Sequence, residues 1–379
     1  MKRLLFLPLC MLVGGTISIG MSGCAEGAKK RGVQKEDSIQ NNLTASKDTA
    51  EKFPPLPINY DQTKVLKNLY VTDRAGVVLR QGADESAPAL GKYPYGTKLD
   101  IIAEEGEWIA VMDRIQRDYK GADGETNDVT QWEKVYVEKS KIGSHDKITI
   151  SPKDLNLIVS QHVKGQERYY ERGHQLDEYL HLELISEQDF IQARKTAEDC
   201  LIRDTLSYPK HDHVLELPLV NGKKLIFKDK KTDSDDEAEF NYIGHCDALN
   251  AFAIAGNYWE SGDVRLFDRH DGQLIVACKD YPYLSPDKNY LMTLHADPYE
   301  STGDLTIFHV KQDKISQMIF LSFRQWMPSV DTHLIFWGKD GHIYAAVNHK
   351  DAYWDENGSL KEKHQYIRIT ILKSLVKTV

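Results

Sequence analysis

Few side chains of this chain stand at the spacings that chemistry needs. Beyond residue 100 the cysteines are Cys200, Cys246 and Cys278, and a nucleophilic thiol must be held as thiolate by a nearby base or cation. Phe190, Ala193, Ala197, Cys200 and Leu201 repeat at helical spacing, so Cys200 is expected on the apolar face of a helix over 187–204, where a thiol packs and does not react. His211-Asp212-His213 and His245-Cys246 offer metal-type donors, but without the paired spacing of a built site. Asp233, Asp235, Glu237 and Glu239 alternate without the central glycine and closing glutamate of a calcium loop. No glycine-rich phosphate cradle is present. Neither a catalytic residue, a metal nor a cofactor is expected.

Aromatics are the better lead. Tyr70, Tyr93, Tyr95, Trp108, Trp132 and Tyr136 crowd one short stretch, and such rings stack on sugar or peptide planes while their polar tips hydrogen-bond. The candidate ligand-binding residues are Tyr93, Tyr95, Trp108 and Trp132; Trp108 and Tyr70 also suit a core. Tyr93 and Tyr95 flank Pro94 ahead of the Gly96-Thr97 turn, and strand alternation would send both rings to one exposed face beside a polar insert, residues 113–131. Trp259, Trp326, Trp337 and Trp354 are expected inside the C-terminal part.

The elements that must position these rings begin with an export signal. Lys2 and Arg3 precede an apolar run, Leu4 to Leu12, loosened afterwards by Gly14, Gly15 and Gly20, which is the layout of a secretory leader. It closes on Met21-Ser22-Gly23-Cys24, which resembles the bacterial lipobox. The resemblance implies a signal peptide over 1–23, cleavage before Cys24 and lipidation there, with palmitate-type acyl chains holding the protein to a membrane. The expected place is the cell envelope, on the outer membrane, facing either side. The chain carries 379 residues and a net charge of −9, so a nucleic-acid partner is not expected, since phosphates must be met by a basic surface. The expected partners are the membrane, through the anchor, and either peptidoglycan or an envelope protein.

Residues 24–66 are polar and close on Pro54, Pro55 and Pro57, a composition that reads as a flexible tether. Residues 67–143 then hold short alternating strands with turn residues between them. Tyr70, Val77-Val78-Leu79-Arg80 with Gly82, Gly96-Thr97, Leu99-Asp100-Ile101 and Gly106-Glu107-Trp108 resemble the bacterial SH3-like (SH3b) domain. That likeness implies a small barrel and binding of peptidoglycan or protein. Val78 stands where the family usually has Asn, and 113–131 is an insertion between its last strands.

Residues 150–379 read as a β-rich domain with one helix, started by Ser186 with Asp189 three residues on. Asn221-Gly222 between two apolar runs marks a hairpin. Gly262-Asp263-Val264-Arg265-Leu266-Phe267 recurs as Gly303-Asp304-Leu305-Thr306-Ile307-Phe308, with apolar runs upstream at Leu249–Ala255, Tyr290–His295 and His333–Trp337. Such a period is a propeller signature. Leu284-Ser285-Pro286-Asp287-Lys288-Asn289-Tyr290 resembles the turn of periplasmic WD-like propeller repeats, with Lys288 or Asn289 supplying the left-handed residue. The fold class expected is therefore mainly β, an SH3-like barrel followed by a propeller-like domain, with a β-sandwich as the alternative.

SH3b domains often accompany wall hydrolases. Papain-like wall peptidases show Asp-Cys-Ser-Gly where this chain has Asp199-Cys200-Leu201-Ile202, and the Ser-Gly-Cys of wall transpeptidases occurs only at residues 22–24. The leading expectation is a non-enzymatic, lipid-anchored binding protein. The alternative is an envelope hydrolase with its site in the C-terminal domain.

Overall fold

The computed structural model describes residues 52–120, 126–163, 165–232, 234–311, 314–355 and 357–376. The leader, Cys24, the tether as far as residue 51 and Asp233 lie outside the described residues. Among those residues the fold is mainly β, built of antiparallel sheets of which none closes into a barrel.

The first sheet takes β1 (Lys67–Val71), β2 (Val77–Arg80), β3 (Ala89–Tyr93), β4 (Lys98–Glu105), β5 (Trp108–Lys120), β6 (Thr126–Glu138) and β7 (Ile142–Gly143) in the order β3-β2-β6-β5-β4-β1-β7. Val77, Leu79, Leu99, Ile101, Ile109, Val111, Val135 and Val137 converge on one buried cluster, as period-two alternation dictates when one face of a curled sheet is interior. The expected barrel stays open. β3 pairs only with β2, and the two-residue β7 only with β1, so the edges never meet. The insert at 113–131 is strand over its described residues, 113–120 and 126–131. It continues the β5–β6 hairpin in register, from Asp113 opposite Glu133 out to Lys120 opposite Thr126, as a two-stranded arm.

The remaining strands are β8 (Leu157–Val163), β9 (Gln166–Gln175), β10 (Leu180–Ile185), β11 (Val214–Pro218), β12 (Lys224–Lys228), β13 (Ala238–Cys246), β14 (Ala251–Tyr258), β15 (Gly262–Asp268) and β16 (Leu274–Cys278). They continue with β17 (Tyr283–Leu284), β18 (Tyr290–Asp297), β19 (Thr302–Lys311), β20 (Lys314–Phe323), β21 (Trp326–Pro328), β22 (Ile335–Trp337), β23 (Ile343–His349) and β24 (Gln365–Ile371). β13 to β16 form one meander, and β17 to β20 a second, extended by the β8–β9 hairpin. In the third sheet β23 holds β21 and β22 on one side and β24 on the other, and β10 comes back to pair with β24. The sequence repeat falls on β15 and β19, the third strand of each meander. His333–Trp337, by contrast, reaches β22, which pairs only with β23 and does not stand second in a meander. One buried cluster spans these sheets, centred on Phe323, Trp326, Leu291, Ile307 and Ile343. The Asn221-Gly222 hairpin joins β11 to β12, with Gly222 at φ +82°.

Of the helices α1 (Pro152–Leu155), α2 (Glu187–Arg194) and α3 (Lys373–Val376), α2 is the one expected, capped by Ser186 accepting from the Asp189 N–H at 3.1 Å. It stops ten residues short of the expected end. The chain turns at 195–196, and further on Ile202 exchanges two backbone hydrogen bonds with His245, so its backbone groups are not free for a helix.

The first sheet is docked on the body by specific contacts. Arg74 pairs with Asp154 at 2.6 Å, His145 Nε2 lies 3.1 Å from the Asp351 carbonyl, and the Gln365 amide bridges both backbone groups of Ile150. Gly96, at φ +85°, sits so close to the Asp351 carboxylate that a Cβ would overlap it.

Candidate binding site

The four candidate rings do not share a face. Tyr93 is the last residue of β3 and packs on the interior cluster, its hydroxyl donating to Asp113. Burial, then the Asp113 charge, push its phenol well above the ordinary value. Tyr95 lies past the strand end, in the turn before Gly96, where alternation no longer applies. Its ring carries the Arg74 guanidinium at 4.0 Å, meets His349 edge-on at 5.4 Å and packs among Tyr70, Ile148 and Ala352. Its hydroxyl accepts from the Thr149 N–H at 2.7 Å. Tyr95 is therefore part of the joint between first sheet and body, and the exposed Tyr93–Tyr95 face expected from the sequence is not formed.

Trp108 and Trp132 lie on the opposite, outer face, because Ile109, Val111, Val135 and Val137 between their neighbours point inward. Both are half-buried. Trp132 is covered by a residue the sequence reading assigned to the tether. The Tyr60 ring stacks on it at 4.4 Å, with the planes 29° apart. Residues 52–66 thus run along the sheet. The Ile58 N–H donates to the Trp132 carbonyl at 2.9 Å and the Lys134 N–H to the Leu56 carbonyl at 2.8 Å. The signal available was Phe53, Leu56, Ile58 and Tyr60 among prolines, an apolar spacing at odds with a solvated chain.

Beneath this segment lies a polar network. Glu133 is fully buried and accepts from Arg117 at 2.9 and 2.6 Å and from the Gln131 amide at 2.8 Å. Burial alone would raise its carboxyl, but these hydrogen bonds and the Arg117 charge hold it below the ordinary range. Arg117 also donates to Gln81 at 3.1 Å, and the Gln81 amide donates to the Phe53 carbonyl.

The body carries a cleft of about 300 Å³ between the Ser285–Tyr290 turn and residues 337–341, with Ile371 at its side. The turn is pinned by its own side chains: Ser285 Oγ donates to Asp287 at 2.6 Å and accepts from the Tyr290 N–H at 2.9 Å, and Lys288 takes φ +62°. Burial opposes the charge on Asp287, but the Ser285 and Asn289 hydrogen bonds outweigh it and lower the carboxyl. Asp340 accepts from the Tyr344 hydroxyl at 2.7 Å, and Trp337 Nε1 donates to the Tyr283 carbonyl at 2.9 Å. With Tyr290 and Lys339 on its walls, the cleft offers a ring face, two carboxylates and an ammonium, a mixture suited to a small polar ligand or a side chain.

The groups weighed for chemistry are held in packing. Cys200, Cys246 and Cys278 are free thiols, all raised chiefly by burial, Cys278 to about 12. Tyr281 donates to Asp199 at 2.7 Å beneath Arg203, which lies 4.4 Å from the Tyr281 ring centre. His245 Nδ1 sits 3.0 Å from Asp204, and the same carboxylate accepts from the Tyr242 hydroxyl at 2.6 Å. Among the described residues no group of three or more His, Cys, Asp or Glu could hold a metal ion, and no helix is long and apolar enough to cross a membrane. In comparisons with known proteins, no family model and no curated protein matches this chain.

Proposed function

We propose that the chain is a lipid-anchored protein of the bacterial cell envelope whose folded part binds a partner rather than catalysing a reaction. The observation that carries this reading is Met21-Ser22-Gly23-Cys24 closing an apolar run that begins after Lys2 and Arg3. In this reading the first sheet is SH3-like, supported by Arg80 and Gly82 at the end of β2 and by positive φ at Gly96 and Gly106 in its turns. The body is propeller-like, supported by two four-strand meanders and a third sheet whose fourth strand is β10. The partner is peptidoglycan or an envelope protein, met by the outer face around Trp108 and Trp132 and by the cleft beside Tyr290. Thiols raised by burial and a buried His349 support binding over catalysis, because a working nucleophile or base is shifted toward reactivity.

The test has two arms. Cys24→Ala should abolish lipid labelling and release the protein from membranes; retention after salt and carbonate washing would reject the anchor. Residues 24–379 with Cys24→Ala should sediment with purified peptidoglycan or capture an envelope protein from extract. If neither occurs while the protein is folded, the binding reading fails.

A further inference from the structure

We propose that the β6 edge at Trp132–Lys134 is a strand-addition site for an extended peptide, and that residues 53–60 of this chain are its resident occupant. β2 meets β6 only at Arg80 opposite Tyr136. Toward Trp132 the strand therefore runs on with one edge unpaired by the sheet, and segment 56–58 fills that edge through the two backbone bonds at Trp132 and Lys134. Those bonds flank the antiparallel pair Pro57–Glu133, so Pro57 stands where the ladder asks for no N–H.

The side chains define what fits. Phe53 lies against Gly82 so closely that a Cβ there would strike its ring, and Gln81 grips its carbonyl. Tyr60 stacks on Trp132. The ligand is thus an extended segment with an aromatic residue, then apolar-Pro-apolar, then a second aromatic two residues on. Backbone pairing supplies affinity and the rings supply choice, as in other strand additions. The occupant is lightly held: Leu56 and Tyr60 remain 37% and 47% exposed. A segment with so little burial opens locally without unfolding the sheet, and a partner segment with the same pattern would then find the same contacts. The site does not depend on the lipid anchor.

The test uses residues 24–379 with Cys24→Ala and a fluorescent peptide of residues 52–63. Phe53→Ala removes the resident ring from Gly82, and Ile58→Pro removes the donor to Trp132, so together they should free the edge while leaving its own surface intact. Peptide binding by anisotropy should be at least tenfold tighter to this double variant than to the parent. Adding Trp132→Ala should weaken it at least tenfold. A folded double variant that ignores the peptide, or binds it regardless of Trp132, overturns the proposal. Should the double variant unfold, hydrogen exchange in the parent decides. The Ile58 and Lys134 amides should exchange at least a hundredfold faster than core amides of β19, and equal protection would make the segment a fixed strand and reject the proposal.

Discussion

Acid should loosen this molecule first at His349. Its imidazole is 3% exposed at the end of β23, with the Tyr95 ring against it and Nδ1 accepting from the Asp351 N–H at 3.3 Å. Burial lowers it from 6.5 to about 4, with Asp351 and Asp154 opposing that shift and Lys350 and Arg74 reinforcing it. A histidine depressed in the fold is neutral there, while the unfolded chain takes up a proton near pH 6.5. Its contribution is intact above that pH and is lost as pH falls toward 4. The loss is about 2 kcal/mol by pH 5 and about 3 kcal/mol by pH 4. Carboxylates held low, such as Asp204 at about 2, act only further down. His364, also lowered by burial, adds to the same window. Urea denaturation of the protein and of His349→Asn, at half-unit steps from pH 7.5 to 4.5, isolates the term. The variant should start less stable and lose roughly 2 kcal/mol less across the range. Parallel curves for the two proteins would refute the buried, neutral imidazole.

Other expectations follow from the same contacts. Arg117→Met leaves the Glu133 carboxylate buried without its cation and should cost about 3 kcal/mol in urea denaturation at pH 7. Trp326→Ala should cost about 4 kcal/mol in the same assay, since the ring is fully buried, stacks on Phe323 at 4.5 Å and donates to the Leu155 carbonyl. Gly96→Ala combines a strained φ with overlap onto Asp351, and should cost about 1–2 kcal/mol and speed proteolysis between the first sheet and the body. In residues 24–379 with Cys24→Ala, the three remaining thiols should resist an aromatic disulfide reagent at pH 8 and react together only in denaturant. Rapid modification of Cys278 in the native protein would contradict its burial.

Patterns carried by neighbours in sequence were legible before the structure. Val77, Leu79, Leu99, Ile101, Ile109 and Val111 alternate, and all face one interior. The Asn221-Gly222 hairpin, the Ser186 cap and the left-handed residue at Lys288 follow from local chemistry alone. What failed was set by distant partners. The helix after Ser186 stops at Arg194, and Ile202 pairs with His245 where a longer helix was expected; no local residue announces that pairing. Tyr93 and Tyr95 part company because the strand stops between them. Residues 56–60 read as tether because prolines and charges dominate the composition, whereas two backbone bonds and one ring decide their position. The cleft beside Tyr290 joins turns some fifty residues apart, a juxtaposition that periodicity cannot register.

The pairing of β10 with β24 ties residues 180–185 to residues 366–371. A sheet that pairs β10 with β24 cannot finish until residues 366–371 have emerged from the ribosome. Until then β10 is an unpaired edge and Leu180 and Leu182 lack their cover, so the nascent molecule is open to aggregation there while the intervening residues are made. Contacts of such long sequence separation also make folding slow, because the loop must close before any of its contacts form. For this protein the rate of folding is thus tied to how soon β24 finds β10.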